Sequence, residues 1–294
     1  MKFFAKRYLK KYKNLEKDPE ITPIDEYLAD DISLGGKAKS GDIDYLYANS
    51  WNTVIYFKIL VKKDPKFKIL CIPDFISIYK KYIDLADITY IFNKDNLIIP
   101  KDINKHINVC MEDISKRFIY FSFGISLDIK GEIISSHANI VLIDKKNKTI
   151  ERFEPLGQSC CSSINKCKKT DIINDAFKDR LIPKLKLENY SYISPFDISP
   201  EKGVQVKGDS YKGMCLTISM LYLHLRIINP DAKQTKVMNY LLSKSDKDLK
   251  NTILKYAKHV ENTLKNNKDL VNDIKIDIND AFQDMYSESH LDEL

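Results

Sequence analysis

Cys215 to Ile228 (CLTISMLYLHLRII) is apolar on nearly every side, so as a helix it belongs inside a protein rather than on its surface. Asn229-Pro230 ends the run, because proline supplies no N–H and its ring clashes with the preceding turn. The chain can bury such a helix: 294 residues suffice for one large domain or two ordinary ones. Hydrophobic residues make up 44% and charged residues 30%, the balance of an ordinary globular protein. Only 9 Gly and 10 Pro occur, which excludes collagen-like, linker-rich and glycine-repeat architectures. No internal repeat is visible.

The rest of the chain has two textures. Asp42 to Lys63 mixes aromatics with β-branched residues, and Ile76 to Tyr90 has apolar residues at helical intervals, so the front half reads as partly helical. From Arg117 onward, Phe118 to Ser122, Gly124 to Ile129 and Ser136 to Ile143 are short β-branched or aromatic runs between turn residues, which predicts a sheet. The cluster Asp144 to Lys148 makes Ser136 to Glu154 an antiparallel hairpin. Asp171 to Leu187, Lys236 to Leu242 and Lys247 to Leu264 have helical spacing, and a polar tail follows. The expected class is α+β, a central antiparallel sheet packed on the Cys215 helix. Residues 1–40 read as a basic extension, 41–245 as the main domain, and 246–294 as a C-terminal amphipathic helix with its tail.

Charge and cysteine usage limit the function classes. A net charge of +6, with both signs alternating, leaves no nucleic-acid footprint. No apolar run reaches the roughly 18 residues of a membrane span, and Lys and Arg interrupt Met1 to Asn14 too often for a secretory signal. That segment reads as a solvated amphipathic stretch, with a membrane or nucleic-acid contact as the alternative. The six cysteines include no CxxC pair, so reduced thiols and a cytoplasmic location are expected, and disulfides are not.

The hairpin and the buried helix together suggest chemistry. If the hairpin loop has an even number of residues, His137 lies directly across from Glu154 and the two side chains share a face. A carboxylate there accepts an imidazole N–H and fixes the tautomer. Asp144 is a poor rival, since seven residues of strand put it roughly 23 Å from His137. Cys215 is the best-placed nucleophile of the six cysteines, because a helix N-terminus favours a thiolate. Gln205, in the Pro- and Gly-punctuated loop before it, supplies an amide for an oxyanion beside the Cys215 N–H, with Gln158 as the fallback.

The segment His137-Ala-Asn-Ile-Val-Leu-Ile-Asp-Lys-Lys-Asn-Lys-Thr-Ile-Glu-Arg-Phe-Glu154 resembles the catalytic hairpin of the ubiquitin-like-protein (SUMO) proteases and the adenovirus maturation protease. Those enzymes share the order His, acid, Gln, Cys. Tyr211-Lys-Gly-Met-Cys215 is similar to their nucleophile segment, and Glu154-Pro-Leu-Gly157 is similar to divergent thiol proteases of large DNA viruses. The resemblance spans about residues 115–230. Ala138 stands where the ubiquitin-like proteases place a Trp over the substrate's Gly-Gly tail, and Gln205 is further from Cys215 than the family's Gln.

The resemblance implies a papain-like fold and a cysteine peptidase acting through Cys215, His137, Glu154 and Gln205. It implies no metal or organic cofactor, and a protein partner that is either a ubiquitin-like modifier or a viral polyprotein. Effector acetyltransferases with the same triad, and a non-catalytic viral structural relative, are the alternatives. A viral source would place the protein in host cytoplasm or virion.

Other features have plainer readings. His224 falls on the far side of the Cys215 helix and reads as a core or surface residue, while His106, His259 and His290 are structural or solvated. Cys160, Cys161 and Cys167 lack the usual zinc spacing, and Gly35-Gly36-Lys37-Ala38 lacks a phosphate loop's Ser/Thr. Asn139 shares the His137 face, as a cleft residue or a structural amide. Trp51 reads as core. Leu34-Gly35-Gly36 looks like a self-processing site, and the final Leu-Asp-Glu-Leu mimics a retention signal without a secretory leader.

Overall fold

Phe118–Ile129 has apolar residues on both strand faces, and this long strand is buried on both. It is the middle of a seven-stranded sheet in the computed structural model, which describes residues 19–28, 50–80, 82–159, 170–208 and 213–291. The basic start, Leu34-Gly35-Gly36, the cysteines from Cys160 to Cys167, Tyr211 and the final three residues lie outside the described residues.

The strands are β1 (Leu70–Cys71), β2 (Ile76–Tyr79), β3 (Tyr82–Leu85), β4 (Asp87–Ile91), β5 (Asn96–Ile98), β6 (Phe118–Ile129), β7 (Glu132–Asp144), β8 (Thr149–Phe153) and β9 (Ser191–Ile193). The helices are α1 (Ser50–Lys63), α2 (Ile103–Glu112), α3 (Thr170–Asp175, continued in wider turns over Ala176–Leu181 and an α-helical turn over Ile182–Lys184), α4 (Pro195–Ile198), α5 (Val204–Gly208), α6 (Cys215–Ile228), α7 (Gln234–Ser243), α8 (Asp246–Lys265) and α9 (Lys268–Leu291). The main sheet runs β5-β4-β6-β7-β8-β9, with β1 against the start of β6; β2 and β3 form a separate hairpin. The fold class is α+β. The antiparallel arrangement expected for the centre holds for β6, β7 and β8, while β4 and β1 join β6 in parallel and β9 joins β8 in parallel.

All residues of α6 are buried, including His224 and Arg226. Its sheet-facing side is locked to β8: Tyr222 stacks on Phe153 with ring centroids 3.9 Å apart, Arg226 Nε donates to Glu151 Oε2 at 3.3 Å, and the Tyr222 hydroxyl donates to Glu151 Oε1. Its other sides meet α1, α8 and residues 19–28, where Asn229 Nδ2 donates to Thr22 O at 3.1 Å and Asn229 Oδ1 accepts from Thr22 N at 2.6 Å. Each large aliphatic side chain fully buried in this way contributes roughly 1.5–3 kcal/mol. In α8, Leu249, Ile253, Tyr256, Val260 and Leu264 face the same core, and Ser245 caps the helix by accepting from Asp248 N at 3.1 Å.

Three expectations are corrected. Ile76 to Tyr90 is three short strands, because the chain turns at Lys80 (φ 56°) and Ala86 (φ 45°), left-handed positions that carry neither Gly nor Pro as a signal. The polar tail is the helix α9, which buries only the narrow stripe of Ile274 and Ile278 over its described side chains. Cys71 and Cys110 form a disulfide: β1 and α2 bring their Cα atoms to 5.7 Å, inside the bridging range, across a separation of 39 residues that no local motif reveals.

Candidate active site

The β7–β8 turn determines which residues meet. Asp144 accepts from the backbone N–H groups of Lys146 (3.0 Å) and Asn147 (3.2 Å), and Lys148 takes φ 51° to close a four-residue loop, residues 145–148. Arg117 grips the same carboxylate through Nε at 3.1 Å and an Nη at 3.0 Å, so Asp144 belongs to the turn. The loop is even, yet it does not set His137 across from Glu154, because the register runs Ile140 to Phe153 and Val141 to Arg152. The next pair on that face is therefore Asn139 with Glu154, and His137 is Glu154's diagonal neighbour rather than its direct partner. Parity decides the face, whereas the loop's position decides the partner.

Diagonal neighbours are within reach of long side chains. His137 Nε2 lies 2.5 Å from Glu154 Oε1, and Asn139 Nδ2 donates to Glu154 Oε2 at 2.8 Å. Leu156 N also donates to Glu154 Oε1, at 2.9 Å. Behind them, Arg152 donates to Asn139 Oδ1 at 2.6 Å and to Asn174 Oδ1 at 2.8 Å, and its Nε donates to the Tyr192 hydroxyl at 3.0 Å. The carboxylate thus has donors on both oxygens, and the Asn139 amide is oriented by a buried guanidinium. Arg152 escaped the sequence reading; the available signal was an arginine on the Glu154 face of a strand otherwise built for burial.

The stretch after Glu154 is held by close backbone approach. Gly157 has φ 83°, and a Cβ there would stand 2.5 Å from Gly203 N; one on Gly203 would stand 2.4 Å from Pro155 O. Gly203 N donates to Leu156 O at 2.9 Å and Gln205 N to Pro155 O at 2.8 Å. Gln205 therefore sits on α5, its backbone stitched to the residue that follows Glu154. Gln158 is used differently: its Nε2 donates to Ser199 O at 2.8 Å and its N to Pro200 O at 3.1 Å.

Cys215 opens α6 after Gly213, whose φ of 112° is a backbone conformation that favours glycine. Ala138 N donates to Cys215 Sγ at 3.5 Å, and Ser219 Oγ donates to Ala138 O at 3.4 Å, fastening the first turns of α6 to β7 beside His137. The Cys215 sulfur lies near enough to the His137 ring for each to shift the other's charge.

Burial works against charge on each of these groups, and their mutual interactions outweigh it. Burial would lower His137, but the Glu154 carboxylate and the Cys215 sulfur raise it well above the ordinary imidazole value. Burial would raise Cys215, but the His137 ring and the Ala138 N–H bring its thiol below the ordinary value. Glu154, which burial would also raise, is held below the usual carboxylate range by His137 and Arg152. The arrangement favours a thiolate–imidazolium pair braced by a carboxylate.

The remaining candidates separate from this site. His224 is fully buried, its Nδ1 3.2 Å from the Tyr56 hydroxyl, and burial with the neighbouring His259 pushes it well below the ordinary imidazole value. His259 packs beside it rather than facing solvent. Trp51 packs partly buried against the core and donates from Nε1 to Ile83 O at 3.1 Å. Among the described residues no cluster of three or more potential ligands could hold a metal ion, and no helix is long and apolar enough to cross a membrane.

No protein-family model and no curated protein matches this sequence. Among solved structures, the chain is similar to the Chlamydia trachomatis effector protein Cdu1 bound to ubiquitin, at 13% identity and TM-score 0.42, over 76% of this chain and 96% of that one. It is similar to a further solved structure, that of the Chlamydia trachomatis effector protein ChlaDUB1, at 13% identity and TM-score 0.38, over 78% and 88%. It is also similar to the SUMO protease Ulp1, at 13% identity and TM-score 0.37, over 84% and 98%.

Proposed function

We propose that this protein is a cysteine peptidase that hydrolyses peptide or isopeptide bonds with Cys215 as nucleophile, His137 as acid–base and Glu154 as the group that orients and charges His137. The observation that supports this most is one grouping: Glu154 Oε1 on His137 Nε2 at 2.5 Å, and Cys215, at the first turn of a buried helix, held by the N–H of the next residue, Ala138, with its thiol value lowered by the His137 ring.

The thiolate attacks the carbonyl carbon of the scissile bond, and the carbonyl π electrons move onto oxygen. The His137 imidazolium gives its proton to the departing amine as the C–N bond breaks, leaving a thioester on Cys215 and a neutral ring. Water then attacks the thioester while His137 takes its proton, and the acid departs as the thiolate is restored. Glu154 remains ionised throughout. The Cys215 backbone N–H and the Gln205 side-chain amide are assigned to the oxyanion.

The substrate is another protein, either a ubiquitin-like modifier joined to its target or a viral polyprotein, as the hairpin's resemblance implies. The test is intact mass after incubation with ubiquitin and SUMO carrying thiol-reactive C-terminal electrophiles, on the native chain and on Cys215→Ala. One adduct, absent from Cys215→Ala, is expected for a deconjugating peptidase. Labelling of Cys215 by a small alkylating agent without a modifier adduct would direct the search to polyprotein sites. A Cys215 that reacts with neither would overturn the assignment.

A further inference from the structure

Cys215 lines a cavity of about 370 Å³ that runs from the start of α6 across β6 to β4 and the β2–β3 hairpin, a size within the usual range for ligand pockets. Hydroxyl groups line part of its wall, those of Ser50, Ser77, Ser122 and Thr89 among them. Two carboxylates, Asp84 and Asp87, also line it, whereas no Lys, Arg or His does so among the described residues.

Asp87 is only 7% exposed, and among the described residues no cation pairs with it. Its Oδ2 accepts from its own strand neighbour Thr89 at 2.9 Å, and no described donor reaches Oδ1. Asp84 is similarly half used: Ser50 Oγ donates to its Oδ1 at 2.6 Å. The two acids repel each other, and burial followed by that repulsion raises the Asp87 carboxyl to about 7. Gly124 stands beside the pair's inner member, where a Cβ would lie in ordinary contact, 3.4 Å from Asp87 Oδ2.

A buried carboxylate without a counter-charge is costly and is ordinarily paired. Asp128, elsewhere on β6, illustrates the usual solution, with Lys80 and Lys94 each 2.9 Å from it. An asparagine at 87 would keep the Thr89 contact without that cost, so the Thr89 contact does not explain an acid at this position. Among the described residues, no cation enters from the Cys215 end.

The geometry points to a cation-selective subsite in which Asp87 and Asp84 receive the lysine or arginine side chain of a substrate residue beside the bond that Cys215 attacks. This rests on the peptidase reading above, and it adds a sequence preference to it. A bound ammonium or guanidinium would complete the Asp87 and Asp84 hydrogen bonds and hold both acids ionised. The serine and threonine hydroxyls of the wall can accept further hydrogen bonds from the ammonium or guanidinium, and the apolar part of the wall suits the methylene stem.

Two small charged reagents test the subsite whatever the natural substrate is. Cys215 is modified with 2-aminoethyl methanethiosulfonate, a cation, and with 2-sulfonatoethyl methanethiosulfonate, an anion, and its rate is followed by peptide mass. In each reaction the thiolate displaces methanesulfinate and a mixed disulfide forms. The cation-to-anion rate ratio is expected to fall roughly tenfold in Asp87→Asn and by a smaller factor in Asp84→Asn. The half-buried Asp84 serves as the second variant should the substitution at Asp87 impair folding. An unchanged ratio in both variants overturns the subsite while leaving the nucleophile in place. Failure of both reagents to modify Cys215 in the native chain overturns the peptidase reading, and the subsite with it. A fluorogenic peptide series with lysine, norleucine or glutamate beside the scissile bond gives the second readout: preference for lysine, lost in Asp87→Asn, is expected, and indifference to the three would contradict it.

Discussion

Glu151 in β8 and Glu154 just beyond that strand are buried alike, at 2% and 1% exposure, and they serve different ends. Their odd spacing sends them to opposite faces. Glu151 meets Arg226 and Tyr222 in the middle of α6, a sealed pair whose side chains are 1% and 2% exposed for Arg226 and Glu151. Glu154 meets His137, 20% exposed on its side chain, beside the cavity that Cys215 lines. A guanidinium keeps its charge at any ordinary pH, so the first pair can only hold α6 to the sheet. An imidazole changes charge near neutrality, so the second pair can move a proton. Burial of an acid is thus not the mark of a site; the nature of its partner is.

The comparison breaks most sharply with the reacting groups themselves. Cys215→Ala and His137→Ala should lower turnover by on the order of 10⁴-fold or more, with urea midpoints close to that of the native chain, measured on a modifier-tail or peptide substrate. Loss of folding in step with activity would reduce the second pair to the role of the first.

Glu154→Gln should cost about 10²- to 10⁴-fold in kcat/KM. The pH profile should also move. Glu154 is the largest of the influences that raise His137, so removing its charge lowers the imidazole value and shifts the alkaline limb, where the imidazolium is lost, to lower pH. A profile that keeps its alkaline limb would show that the carboxylate does not set the ring's charge.

The structural pair is sharpened by stability instead. Glu151→Gln or Arg226→Met alone should cost about 3–5 kcal/mol in urea unfolding, because each leaves a buried partner unmatched. Replacing both with apolar residues should recover part of this, and the folded fraction of each variant should keep native activity per molecule.

The smallest effect is in the pH dependence of stability. Glu154 is held below its ordinary value when folded, so its contribution is present above the usual carboxylate range and is lost as pH falls through the folded value. His137 is raised when folded, so its contribution is present below about 6.5 and is lost as pH rises through the folded value. Urea midpoints followed from acid to alkaline pH should show both slopes in the native chain and neither in Glu154→Gln.

Local pattern made part of this legible in the sequence. The all-round apolar run with its Asn229-Pro230 stop defined α6 to the residue, and strand parity put His137 and Glu154 on one face. Parity did not give the hairpin register, which depends on Asp144 capping the turn and Lys148 adopting a left-handed conformation. The strands at Ile76 to Leu85 were hidden for a similar reason: their turns use Lys80 and Ala86, so the apolar spacing imitated a helix. The disulfide, the Arg152 brace and the Asp84–Asp87 cavity join residues brought together only by the sheet order, to which no local motif refers.

The central claim is that His137, charged by Glu154, makes Cys215 a thiolate near neutral pH. The most direct measurement is the pH dependence of Cys215 alkylation by iodoacetamide, read by peptide mass in the native chain and in His137→Ala. The native thiol should react at a rate that stays high well below the ordinary thiol value of about 8.5, while the variant should react only as pH approaches that value. Coincident profiles, both rising near the ordinary thiol value, would contradict the account.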